Sequence, residues 1–357
     1  MDSTEKLLKS LTEAHGLPGF ETPIRAVVRN YLEPLGELSQ DKLGSVICKK
    51  SGSKANPRVM LAGHMDEVGF MVKQITKDGF IKFLPLGGWF DQVLLGHRVL
   101  IKTQKKGDVM GVLGAKPPHL TSLEERTKVV MRKDMYIDIG ASSEEEIKEA
   151  GIQIGDPIVP DSDFRILANG KNYLSKAFDD RVGVAMIVSV LEALKGKSHP
   201  NTIFGAATVM EEVGIRGATT SVDAVQPDVA LIFESDIAGD VPGIKEEESK
   251  IKLGGGPSVV VYDARMIPNQ KLLKLISSTA SEMEINIQYS SIEGGATDGG
   301  IIHLYKTGVP TVVLAVPARH IHSHNSIINR SDYDNAVKLA VAVIKKLDAN
   351  RVGDLTV

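Results

Sequence analysis

The chain has 357 residues, 42% of them hydrophobic and 5% aromatic, with a formal net charge of −3 and a single cysteine. This balance excludes a nucleic-acid partner, which needs a basic face, and one cysteine excludes both an intrachain disulfide and a cysteine metal cluster. No run of about 18 apolar residues offers a membrane span, and residues 1–6 lack the apolar centre of a signal peptide, so a soluble cytoplasmic protein of two domains is expected.

In chain order, Leu7, Leu8 and Leu11 recur at helical spacing, and Thr22-Pro23 opens a second helix with proline in its first turn. Ile24, Val27, Val28, Tyr31 and Leu32 form its apolar stripe. Strands follow at 44–49, where Cys48 reads as a buried inert thiol, and at 58–63. The second strand runs into His64, with Asp66 two residues on. Side chains alternate along a strand, so these two point the same way. A carboxylate beside an imidazole is how metal-ligating histidines are commonly oriented, although a lone His-x-Asp triplet is more often surface polarity.

From 70 to 160 the texture changes to short alternating runs, such as 80–84 and 98–101, separated by Lys77-Asp78-Gly79 and Lys106-Gly107-Asp108. With one helix over 143–150, this stretch reads as a small β-rich domain inserted after the His64 strand. Residues 114–119, with the polar stretch after them, read as a mobile loop able to reach a neighbouring subunit if the chain assembles, with His119 an ordinary loop residue. Trp89, the only tryptophan, fits either a pocket rim or the core.

After 160, helix–strand alternation resumes. Val182, Ala185, Val188, Leu191 and Leu194 belong to one helix, and 272–283 and 331–347 are amphipathic helices, the last with Ser331 and Asp334 as a capping box. Strands 202–210, 228–234, 257–262 and 310–316 are apolar and β-branched, as a sheet covered on both faces requires. The fold class is α/β, with a catalytic domain from 1–69 and 162–357 and the β-rich insert from 70–161.

Polar residues gather where these runs end: Glu211-Glu212, Glu234-Ser235-Asp236, His320-Ile321-His322-Ser323-His324, and Asp179-Asp180 before a helix. Open α/β sheets place ligands at the carboxyl ends of strands. Each acid pair taken alone fits a helix cap, but five such accidents at strand ends are improbable. Nitrogen and oxygen donors without cysteine suit zinc, cobalt or manganese. Two metals about 3.5–4 Å apart need a bridging carboxylate, about two terminal ligands each, and a separate carboxylate as base. Glu211 and Glu212 are placed to divide binding from base work.

The ordered motifs HMDEVGF (64–70), KAFDDRVG (176–183), MEEVGIRGA (210–218), ESDIAGD (234–240), GGATDGG (294–300) and RHIHS (319–323) resemble those of the dinuclear metallo-aminopeptidases that assemble into tetrahedral twelve-subunit shells. The resemblance spans nearly the whole chain. It implies a three-layer, mixed-sheet metallopeptidase domain of the phosphorylase/hydrolase-like type, and an insert that mediates assembly into a homo-oligomer, a dodecamer in the family. It implies that His64 and Glu234 are terminal ligands of one metal and Glu212 and His322 of the other. Asp179 would bridge them, with a cis peptide bond to Asp180. Glu211 would be the general base and Asp66 would orient His64. The implied reaction is release of N-terminal residues from short peptides by two divalent ions, zinc or cobalt first and manganese next.

Three points stay open in the residues themselves. Asp236 is an alternative to Glu234 as ligand. His320 and His324 share the strand parity of His322, so spacing does not choose among them. Gly294–Gly300 lacks the lysine of a phosphate loop, so Gly295, Thr297 and Asp298 are expected to line a substrate pocket that glycine lets a peptide approach closely. The rival function is a glycoside hydrolase acting through a carboxylate pair, nominally Glu211 and Glu234, which leaves His64, Asp179 and His322 without a role.

Overall fold

The computed structural model describes residues 1–356. Four strands form its parallel centre: β1 (Arg58–His64), β2 (Thr202–Thr208), β3 (Val229–Ile237) and β4 (Thr311–Arg319). They lie in the order β2, β1, β3, β4, with Thr208 opposite His64 and Glu234 opposite Ala315. All four therefore end at one edge of the sheet. Antiparallel strands extend it on both sides, for eleven strands in all, so the sheet is mixed.

Helices cover both faces. Ser3–Glu13 (α1), Thr22–Leu32 (α2), Phe178–Ala193 (α3), Gln270–Glu282 and Arg330–Lys346 pack on one face around Val59, Leu61, Leu231, Phe233 and Leu314. Arg216–Val225 and the short Gly299–Ile302 cover the other, over Met60, Ala62, Ile232 and Val313. Alternate strand residues thus feed two separate apolar layers, which makes the continuous runs of the sequence intelligible. No helix among the described residues is long and apolar enough to cross a membrane.

Between Gly69 and Pro160 six strands close into a barrel. Trp89 belongs to its core: it is 7% exposed, stacks on Phe70 with ring centroids 4.7 Å apart, and donates from Nε1 to the Gly69 carbonyl at 3.0 Å. Cys48 is buried, and burial pushes its thiol up to about 11.

Several boundaries differ from expectation for local reasons. The helix expected to open on a Ser331–Asp334 box is instead capped by Asn329, whose Oδ1 accepts from Ser331 N at 2.9 Å, while Asp334 pairs with Arg330 at 2.8 Å. β3 runs to Ile237 because β4 continues to pair with it through Ala318, so Glu234 lies inside the strand. β2 stops at Thr208, since Met210 takes a left-handed φ of 54° that ends the ladder.

Candidate metal centre

His64 ends β1 with its side chain 2% exposed. Its Nδ1 faces Asp66, 3.1 Å from the carbonyl and 3.5 Å from Oδ1. That contact assigns the proton to Nδ1 and leaves Nε2 free to ligate. Nε2 lies 3.2 Å from Asp179 Oδ1 and 3.9 Å from both Glu211 Oε2 and Glu234 Oε1. His322 repeats the arrangement: Nδ1 donates to the Gly88 carbonyl at 2.6 Å, and Nε2 lies 3.3 Å from Asp179 Oδ2 and 3.7 Å from Glu212 Oε2. One carboxylate, Asp179, thus turns a separate oxygen toward each imidazole.

Asp66 also accepts from the backbone N–H groups of Glu211 at 3.0 Å and Glu212 at 3.1 Å. It therefore fixes the turn after β2 as well as His64. The peptide bond between Asp179 and Asp180 is cis. Asp180 is the residue for which the capping reading holds: Oδ1 accepts from Gly183 N at 2.9 Å, and Oδ2 accepts from His64 N at 3.0 Å. Its carboxylate holds the main chain of β1 against α3, a role with no signal in the sequence beyond the paired aspartates.

The alternatives separate clearly. Asp236 is buried beside Ser258 and Ser290 and accepts from Ile237 N at 2.8 Å, whereas Glu234 turns Oε1 to within 3.9 Å of His64 Nε2. Strand parity fails for the histidines because β4 ends at Arg319, and His320 and His322 adopt left-handed φ values of 59° and 54°. His320 is exposed. His324 is buried and stacks on His97 with centroids 4.0 Å apart.

The donor set fits divalent cations. His64, Asp179 and Glu212 offer donor atoms within 4.8 Å of one another, and buried Glu212 Oε1 has no hydrogen-bond partner; Asp180, which lies as close to His64 and Glu234, has both oxygens engaged by backbone N–H groups. The acids crowd one another without enough positive charge between them. Burial, then neighbouring charges, raises Glu211 and Glu234 well above the ordinary carboxylate value and Glu212 to about 8. Burial disfavours charge on His322, but Asp179 and Glu212 prevail and hold it up at about 10.

The cluster opens into a cavity of about 850 Å³, lined also by Ile237, Ile292, Ile321 and Gly294 to Thr297. Of the three substrate-loop candidates, Gly295 and Thr297 line it. Asp298 does not: it is 1% exposed and accepts from Thr208 Oγ1 at 2.6 Å.

Imidazoles and carboxylates converging at the carboxyl edge of a parallel core, open to a cavity, are the arrangement of a metal-dependent hydrolase. A family model described as M42 glutamyl aminopeptidase matches residues 44–339, and the chain belongs to that family; a second model, AMPT, matches residues 2–27. The protein is accordingly an aminopeptidase, and its family implies divalent metals.

Glutamyl aminopeptidase of Lactococcus lactis is 35% identical over 353 residues, covering 98% of each chain. Lysyl aminopeptidase of Pyrococcus furiosus is 33% identical, covering 96% of this chain and 97% of its own. Among solved structures, a TET aminopeptidase from a marine-sediment thaumarchaeon superposes with a TM-score of 0.97 at 48% identity, covering 99% of both chains. The TET1 peptidase of Pyrococcus horikoshii, described as assembling into a tetrahedron or a large octahedral shell, gives 0.86 at 31% identity, covering 97% of this chain and 100% of that one. The glycosidase rival is not favoured, since Glu211 and Glu234 both face His64 within this cluster.

Proposed function

We propose that the protein removes N-terminal residues from short peptides at a centre of two divalent cations, zinc or cobalt. His64 and Glu234 would hold one, His322 and Glu212 the other, and Asp179 both. The observation that carries this reading is the two-sided Asp179 carboxylate, 3.2 Å from one imidazole nitrogen and 3.3 Å from the other. When bound, such cations polarise the scissile carbonyl and lower the pKa of an attacking water.

The chain's own residues do the rest. Glu211 lines the cavity beside His64, and burial raises its proton affinity. It takes a proton from the attacking water as the carbon–oxygen bond forms, and delivers it to the amide nitrogen as the carbon–nitrogen bond breaks. Asp66 keeps Glu211 and His64 in register. Gly295 and Thr297 supply the loop against which the peptide lies.

We infer a homo-oligomeric shell of the TET kind, with the barrel as its contact element. The barrel and the loops at its edge expose Leu84, Phe90, Met110, Val112, Leu120 and Leu123, apolar side chains that contact between copies would cover. Light scattering or native mass spectrometry tests this; a monomer at working concentration refutes it.

The test of function is turnover of amino-acid p-nitroanilides by protein loaded with cobalt or zinc. Activity lost to EDTA, restored by metal, and absent on N-acetylated substrates is expected. Hydrolysis indifferent to EDTA refutes the reading.

A further inference from the structure

Beneath the cluster, outside the cavity lining, Glu67, Lys176 and Arg181 form a buried ion triad, exposed by 1%, 2% and 0%. Lys176 Nζ donates to both Glu67 oxygens at 2.7 and 2.6 Å, and Arg181 Nη2 donates to Oε1 at 3.4 Å. Gly16 N donates to the same Oε1 at 3.1 Å. The guanidinium also donates to the carbonyls of Leu11, Ala14 and Gly16, at and just beyond the carboxyl end of α1, where a cation is favoured.

Taking such charges out of water costs several kcal/mol per ion, and apolar residues of like volume commonly serve stability as well or better. Stability alone is therefore a poor account of the triad. Its position in the chain is a better one. Glu67 follows Asp66 and lies three residues from His64; Lys176 and Arg181 flank Asp179 by three and two residues. The triad thus cross-links the two segments that present His64 and Asp179 and anchors both to α1. Its net positive charge also faces Asp66 and Asp180.

We propose that Glu67, Lys176 and Arg181 are positioning residues that set the spacing of His64 from Asp179, and through it the affinity and geometry of the cation centre, without touching cation or substrate. This rests on the reading that His64 and Asp179 share a cation.

The test titrates metal-free protein with cobalt(II), reading affinity by chelator competition and coordination by the visible absorption of the bound ion. In a Glu67→Gln/Lys176→Met double variant the pair is gone, while the volume and an oxygen for Gly16 N and Arg181 remain. Cobalt affinity is expected to fall roughly tenfold to a hundredfold, with shifted absorption bands and a metal-free melting temperature within a few degrees of wild type. Arg181→Lys keeps the charge but loses the fork, and is expected to show a smaller loss of the same kind; it carries the test if the double variant does not fold. A folded double variant, or in its absence Arg181→Lys, with wild-type affinity and spectrum overturns the proposal. A His64→Ala control separates the two readings: if it binds cobalt as wild type does, the centre itself is misassigned.

Discussion

His322 Nδ1 donates to the carbonyl oxygen of Gly88 at 2.6 Å, a bond between a barrel loop and the turn after β4 that spans 234 residues. Gly88 is admitted by its lack of a side chain: a Cβ there would lie 3.0 Å from Nδ1. A Gly88→Ala variant should tilt the imidazole and weaken the cation it faces, with activity falling roughly tenfold to a hundredfold. Metal analysis after dialysis checks this; full occupancy with unchanged turnover contradicts the coupling.

On the proposed roles, Glu211→Gln removes the proton carrier and keeps the shape. A loss in kcat on the order of a hundredfold to ten-thousandfold is expected, with bound metal nearly unchanged. Asp179→Asn should instead lose metal. If Glu211→Gln remains a competent peptidase, the assignment of the base fails.

The cavity's charged lining outside the cluster is wholly acidic: Glu247, Glu248 and Glu293, with no lysine or arginine among the described residues that line it. Ile237, Ile292 and Ile321 offer apolar wall for an aliphatic stem. Exposed pairs contribute about 0.2–1 kcal/mol each, so lysyl substrates should be cleaved roughly threefold to a hundredfold faster than glutamyl ones in kcat/KM. Glu293→Lys should narrow the gap. A native preference for glutamyl p-nitroanilide would rule this out.

His15 is partly buried, with Nδ1 lacking a partner, and burial followed by Lys176 and Lys102 lowers it to about 4. The unfolded imidazole titrates near 6.5. Between these values the unfolded state carries the extra proton, so stability falls as pH drops from about 6.5 to about 4. His15→Gln should flatten that acid limb by up to one proton equivalent, seen in melting temperatures at pH 7 and 5. An identical slope in both proteins would exclude His15 as the cause.

The sheet and the strand-end acids were legible because parallel strands buried on both faces must be written as apolar runs, and their functional residues can only stand where those runs stop. Glu211 and Glu212 are of that kind; Asp179 stands instead at the start of a helix, where only the paired aspartates marked it. Glu234 was less so, because pairing carries β3 three residues beyond it. The histidines defeated a period-two argument once His320 and His322 turned left-handed. The Asp180 carboxylate, the Gly88 carbonyl and the Glu67–Lys176–Arg181 triad were hidden for another reason: each acts on a partner far off in sequence, and neither residue type nor spacing marks such a contact.

The bond from Gly88 reaches past the boundary between the two bodies of the molecule. Excising the barrel and rejoining its ends would leave an intact α/β layer structure in which one imidazole has no acceptor to aim it. If His322 serves the cation centre as proposed, the smallest unit able to turn over substrate is both bodies together, and the barrel is no detachable handle even where a single copy is concerned.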